Sequence, residues 1–126
     1  MQNIGLNKVI TLVKGDTFLY EYKINLKSNA DQETDYYTMQ EKDHLYFVVM
    51  EPNQAFEQAV VRKIYGINDF IEDHINIKLD SDDTWNLTTG KYYYTIKLEK
   101  YTETDDNGEN HYDVFTTQPN TLFFLV

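Results

Sequence analysis

The sequence predicts an all-β domain, a β-sandwich of about eight or nine short strands. Three observations carry this. Apolar and polar residues alternate with period two in several segments. Turn residues recur about every 8–12 positions. The composition of the 126 residues is 15% aromatic, with eleven Tyr and seven Phe but only 5 Gly and 2 Pro, which suits strands and excludes a disordered tail.

The alternation is clearest at Phe18, Tyr20, Tyr22, Ile24 and Leu26, where Glu21, Lys23, Asn25 and Lys27 fill the gaps. Successive strand side chains point to opposite faces, so one face is apolar and the other mostly wet. Ile75, Ile77 and Leu79 against His74, Asn76 and Lys78 read the same way, as do Tyr92, Tyr94, Ile96 and Leu98 against Thr95, Lys97 and Glu99. Lys8 to Val13 forms an earlier strand, and Gly15-Asp16 turns it into the Phe18 strand. His44 to Met50 is apolar on both faces, as a central strand or a subunit contact requires, and Pro52-Asn53 ends it. Ala59 to Tyr65 is a further strand closed by Gly66. The end of the chain reads as two strands, His111 to Thr116 and Thr121 to Val126, separated by Gln118-Pro119-Asn120.

One hairpin is marked by Asp105-Asp106-Asn107-Gly108-Glu109. Asn-Gly tolerates the positive φ of a tight hairpin turn. The Tyr-rich flanks predict an extended ribbon whose acidic tip discourages edge pairing. A single short helix is expected near residues 81–87, with Ser81 as N-cap and acids in its first turn. Ser28 to Asp35 is polar enough for a mobile loop. No repeat or linker divides the chain, so residues 1–126 form one domain.

The charge bounds the partners. Eleven basic against twenty-one acidic residues leave −10, which argues against nucleic acid and anionic membrane. No apolar run approaches the roughly 20 residues of a membrane span. The start, Met1 to Lys8, lacks the features of a secretion signal, so folding in a cytoplasm is expected. There is no cysteine, which excludes disulfides, thiol catalysis and thiolate metal sites.

Reactive constellations are hard to find. His44, His74 and His111 are isolated, without zinc spacing, and read as strand-edge residues. Asp80, Asp82 and Asp83, and separately Asp105, Asp106 and Glu109, offer oxygen ligands for calcium. Neither group has EF-hand spacing; helix capping and a solvated tip account for them. No nucleophile elbow, P-loop or dinucleotide fingerprint occurs. The expectation is a protein that is not an enzyme, with no catalytic residue, cofactor or metal. The aromatic residues remain. Tyr36-Tyr37 and Tyr92-Tyr93-Tyr94, with Trp85 close by, suggest a flat platform for sugar rings, although Trp85 better suits a plug at the end of the core. Tyr37, Tyr93, Tyr101, Trp85 and Phe124 are the candidate contact residues, for a glycan or for a protein interface. The apolar runs Leu45 to Met50 and Leu122 to Val126 suggest a homo-oligomer contact.

Three ordered segments carry a resemblance. Ile10-Thr11-Leu12-Val13-Lys14-Gly15-Asp16-Thr17-Phe18 is a strand, a Gly-Asp-Thr turn and an alternating strand. Asp43-His44-Leu45-Tyr46-Phe47-Val48-Val49 is a central strand opened by an aspartate. Ile75 to Leu98 runs through Ile77, Leu79, Asp82, Asp83, Thr84, Leu87, Gly90, Tyr92, Tyr94 and Ile96. Together, across about residues 8 to 126, they resemble the antiparallel Ig-like β-sandwich domains of bacteriophage and prophage tail proteins. Nearest among these is the N-terminal domain of the phage baseplate upper protein. The resemblance implies a structural protein of the virion tail or baseplate, made in the host bacterial cytoplasm, whose partners are other phage structural proteins. This chain stops where the sandwich stops, which reads as a stand-alone version. A carbohydrate-binding module is the alternative.

Overall fold

The structure is a computed structural model that describes residues 2–4, 8–26 and 36–126. The segment expected to form a mobile loop, residues 28–35, lies outside the described residues. Among the described residues nine strands form two facing sheets: β1 (Gln2–Ile4), β2 (Ile10–Leu12), β3 (Phe18–Tyr22), β4 (His44–Met50), β5 (Val61–Tyr65), β6 (Phe70–Ile71), β7 (His74–Leu79), β8 (Gly90–Thr104) and β9 (Asn110–Leu125). The larger sheet has the order β1-β2-β9-β8-β4-β5, and the smaller has β3-β7-β6. All pairings are antiparallel except β2 with β9, which run parallel.

The alternation in the sequence becomes the inner faces. Phe18 and Tyr22 from β3, with Ile75, Ile77 and Leu79 from β7, meet Ile10, Leu12, Leu45, Phe47, Val49, Tyr92, Tyr94, Ile96, Leu98, Phe123 and Leu125 of the larger sheet in one core. Phe47 and Tyr94 pack with ring centroids 5.5 Å apart. Buried tyrosines need partners for their hydroxyls. Tyr94 donates to the Lys8 carbonyl at 2.6 Å, and Tyr22 crosses between sheets to Thr117 Oγ1 at 2.7 Å.

β4 is central, between β8 and β5. Its outward-facing Val48 and Met50 are buried within the chain itself, so this strand needs no subunit contact. The connection from β4 to β5 turns back over the sheet, and Phe56 lands beside Tyr46 with centroids 6.1 Å apart. Arg62 and Lys97 flank the same ring.

The expected break at Gln118-Pro119-Asn120 is a bulge inside one strand. β8 advances from Tyr94 to Lys97 while β9 runs from Thr121 back to Thr116. Proline has no N–H for a ladder, so a bulge is where a strand admits it. Side chains replace the missing ladder bonds: Thr95 Oγ1 donates to the Gln118 carbonyl, and Thr117 Oγ1 to that of Ile96.

The α-helix found among the described residues, α1 (Ser81–Trp85), starts one residue earlier than Ser81 capping implies. Asp80 is the N-cap residue, and its N–H donates to Asp83 Oδ2 at 2.7 Å. The hairpin tip also differs in detail. A three-residue loop, 106–108, is closed by Gly108 N–H to the Asp105 carbonyl and Asp105 N–H to the Glu109 carbonyl. Only Gly108, at φ +81, is left-handed, and Asn107 is not. This is the turn-plus-bulge hairpin in which glycine alone takes the strained position.

Candidate functional site

The strands β8 and β9 are three times the length of those facing them. Leu98 is the last fully buried residue of β8, and beyond Tyr101 the ribbon is exposed on both faces. Where it leaves the sandwich, Asp43 lies just ahead of β4 and is 1% exposed. Its carboxylate accepts from Tyr101 N–H at 2.7 Å, the Tyr37 hydroxyl at 2.5 Å and Gln40 N–H at 2.9 Å. The register His44↔Glu99 places Tyr101 two residues beyond Glu99, the last residue of β8 that β4 pairs with. Asp43 therefore supplies the acceptor that a continuing strand would have supplied, and it marks the root of the ribbon. Burial, and then the bond to Asp43, pushes the Tyr37 phenol well above its ordinary value of 10.0.

The outer face of the sheet at this root is aromatic and aliphatic. Directly paired residues share a face, so three cross-strand rows follow from the register: Ile64–Tyr46–Lys97–Thr116, His44–Glu99–Val114 and Tyr101–Tyr112. Glu99 Oε1 accepts from the Tyr46 hydroxyl at 2.8 Å and stands 3.3 Å from His44 Nδ1. The His44 and Tyr112 rings are 5.6 Å apart, and Tyr112 meets Tyr101 edge-on at 6.0 Å. Lys42 Nζ sits 4.7 Å from the Tyr101 centroid. Burial and the Glu99 bond push Tyr46 up to about 12. Ile64 and Val114 remain 54% and 58% exposed. Apolar surface of this kind, held rigid by a ladder and rimmed with polar groups, is suited to contact with another protein.

The five candidate contact residues do not converge. Tyr101 belongs to this platform. Tyr37 is half-buried on the inner side of the ribbon root, below Lys100 at 5.5 Å. Tyr93 and Phe124 lie half-buried on the outer face nearer the other end of β8. Trp85 is not the core plug anticipated: it is 60% exposed, and Thr84 beside it is fully buried. Its ring rests on Gly15, where an added Cβ would come within 2.9 Å of it. The Gly15 N–H donates to Thr84 Oγ1 at 3.0 Å. The Gly-Asp-Thr and Asp-Thr segments thus meet in space, and Gly15 needs its φ of +86 as well as its missing side chain.

Among the described residues no three His, Asp or Glu side chains gather as metal ligands. Each histidine instead faces a carboxylate: His44 faces Glu99, His74 faces Asp73 at 3.1 Å, and His111 faces Asp105 at 2.8 Å. Asp83 is occupied by the α1 N-terminus and by Lys63 at 2.9 Å, and Asp80 by Lys78 at 3.5 Å.

Sequence reasoning missed Asp43, His44, Tyr46, Tyr112 and Val114 as a group. Alternation along β4 was a usable signal for His44 and Tyr46. No protein-family model matches the chain, and no curated protein or solved structure is significantly similar to it.

Proposed function

We propose that this chain is a non-enzymatic structural module of a phage or prophage tail or baseplate, acting through protein–protein contact. The observation that carries the reading is the ribbon root: a rigid aromatic platform, with exposed Ile64 and Val114, beside two strands that outrun the sandwich. Such a surface offers contact area without a cleft. The three segments behind the phage-tail resemblance also have structural work here. Gly15 and Thr84 stitch a turn to α1, Asp43 ends the β4 ladder, and Tyr92 and Tyr94 are core. The carbohydrate reading draws less support. Tyr93 lies on the outer sheet face and Trp85 at the β2–β3 turn, and no described ring contact joins them.

The test is peptide mass spectrometry on density-purified particles from the strain that encodes the chain. Peptides of this protein should rise and fall with those of the tail across the gradient. Their absence from intact particles, with the protein plentiful in the lysate, overturns the reading.

A further inference from the structure

We propose that the platform around Phe56 receives the acidic ribbon tip of a second copy of this chain, giving a head-to-tail contact; the proposal rests on reading the platform as an assembly surface. Residues 103–113 contain Glu103, Asp105, Asp106, Glu109 and Asp113 and no Lys or Arg. Asp105 is paired with the His111 ring; among the described residues the other four have no basic side chain within 4 Å.

The platform has the opposite character. Arg62 and Lys97 converge on one ring, 5.3 and 4.5 Å from the Phe56 centroid. Among the described residues neither has a carboxylate within 4 Å, in a chain with nearly twice as many acids as bases. Arg62 is held in place by its Nη2 bond to the Phe56 carbonyl at 3.2 Å. Exposed Ile64 beside them offers an apolar floor. Two cations on a ring with an apolar rim match a strand end that carries acids at its tip and Val114 further down.

The chain cannot satisfy this match by itself. Asp105 lies eight positions beyond Lys97, just past the end of β8 and roughly 25 Å away, and the ladder would have to break for the tip to return. Two ribbons cannot meet each other either, since like charges would oppose. A ribbon laid on another copy's platform is a heterologous contact, which closes into a ring or grows open-ended.

Sedimentation of the full chain at about 100 µM tests this, read at about 50 mM and about 500 mM salt. Association is expected at low salt and should weaken at least about tenfold at high salt. R62E/K97E and D106K/E109K should each be monomeric alone, and mixing the two should restore association. Carbodiimide cross-linking of a light and heavy isotope mixture should join Lys97 of one copy to Asp106 or Glu109 of another. The proposal is overturned by a wild-type monomer at low salt, by association that R62E/K97E leaves intact, or by two variants that stay apart on mixing. A monomer leaves the particle test above unaffected, so the two readings fail separately.

Discussion

The same two strands live in two environments. Between Gly90 and Leu98, β8 lies over β3 and β7, and its inward residues Tyr92, Tyr94, Ile96 and Leu98 are all buried. From Lys100 to its end the ladder to β9 continues, with Tyr101 opposite Tyr112, but among the described residues no second sheet faces it. β3 and β7 have only 5 and 6 residues against 15 and 16 in β8 and β9. A strand pattern decides pairing, and the length of the facing layer decides burial. The first half owes its stability to the core. The second is a two-stranded ribbon, marginal by itself, and depends on Asp43, the tyrosine cluster and the tip.

The largest expected effect separates the halves by packing. Phe47→Ala should cost about 3–5 kcal/mol, whereas Val114→Ser should stay within about 0.5 kcal/mol. At this size each kcal/mol moves the melting temperature by about 3–5 °C, so thermal unfolding distinguishes them. Equal losses would mean that the ribbon is packed against something in solution.

Asp43→Ala acts where the halves join. It leaves the Tyr101 and Gln40 N–H groups and the Tyr37 hydroxyl without their acceptor, costing about 2–3 kcal/mol. Hydrogen exchange should rise in 99–114 before it rises in β4. Uniform loss of protection would show that Asp43 serves the whole sandwich and not the ribbon root.

Alkali reaches the buried half through its phenols. Burial raises Tyr22 and Tyr94 well above the ordinary value, and half-buried Tyr46 on the outer face is raised to about 12. A raised tyrosine favours the neutral form in the folded state. That stabilisation is complete below the ordinary value of 10.0 and is lost as pH climbs from there through the folded values. The melting temperature should decline above pH 10, and phenolate absorbance from these rings should appear together with unfolding. Their free titration near 10 in the folded protein would contradict the packing.

Smaller again is Gly15→Ala. A left-handed φ and a Cβ 2.9 Å from Trp85 should cost about 1–2 kcal/mol. Adding Trp85→Ala should recover the steric part and leave the backbone part, which a double-mutant cycle in urea resolves.

The smallest effect is local to the tip. Asp105 lies below its ordinary value of 3.8, first through His111 and then through the Glu109 N–H. A depressed carboxyl stabilises above its unfolded value and loses that contribution as pH falls through the folded one. Amide protection at Asn107 and Glu109 should therefore hold at pH 5 and fall below about 4, with no change in melting temperature from Asp105→Ala at neutral pH.

Much of this was legible along the chain. Alternation located the inner faces at Phe18–Ile24, Ile75–Leu79 and Tyr92–Leu98, because a pleated strand presents alternate residues to one side. The Asn107-Gly108 turn located the ribbon. Trp85 misled, since a large apolar side chain beside a buried threonine looks like core; the close approach of Gly15, 70 positions earlier, decides that the ring stays outside. The two-faced run in β4 was ambiguous for the same reason. Only the folded chain shows that Val48 is buried without a second copy.

The sequence by itself determined an acidic all-β chain with a long hairpin, because composition and period two are local properties. The tertiary structure alone decided that Asp43 receives Tyr101, that Glu99 gathers His44 and Tyr46, and that Arg62 and Lys97 share Phe56. Those meetings depend on strand order and on bulges that shift the register, and no local pattern encodes a register between strands 50 residues apart.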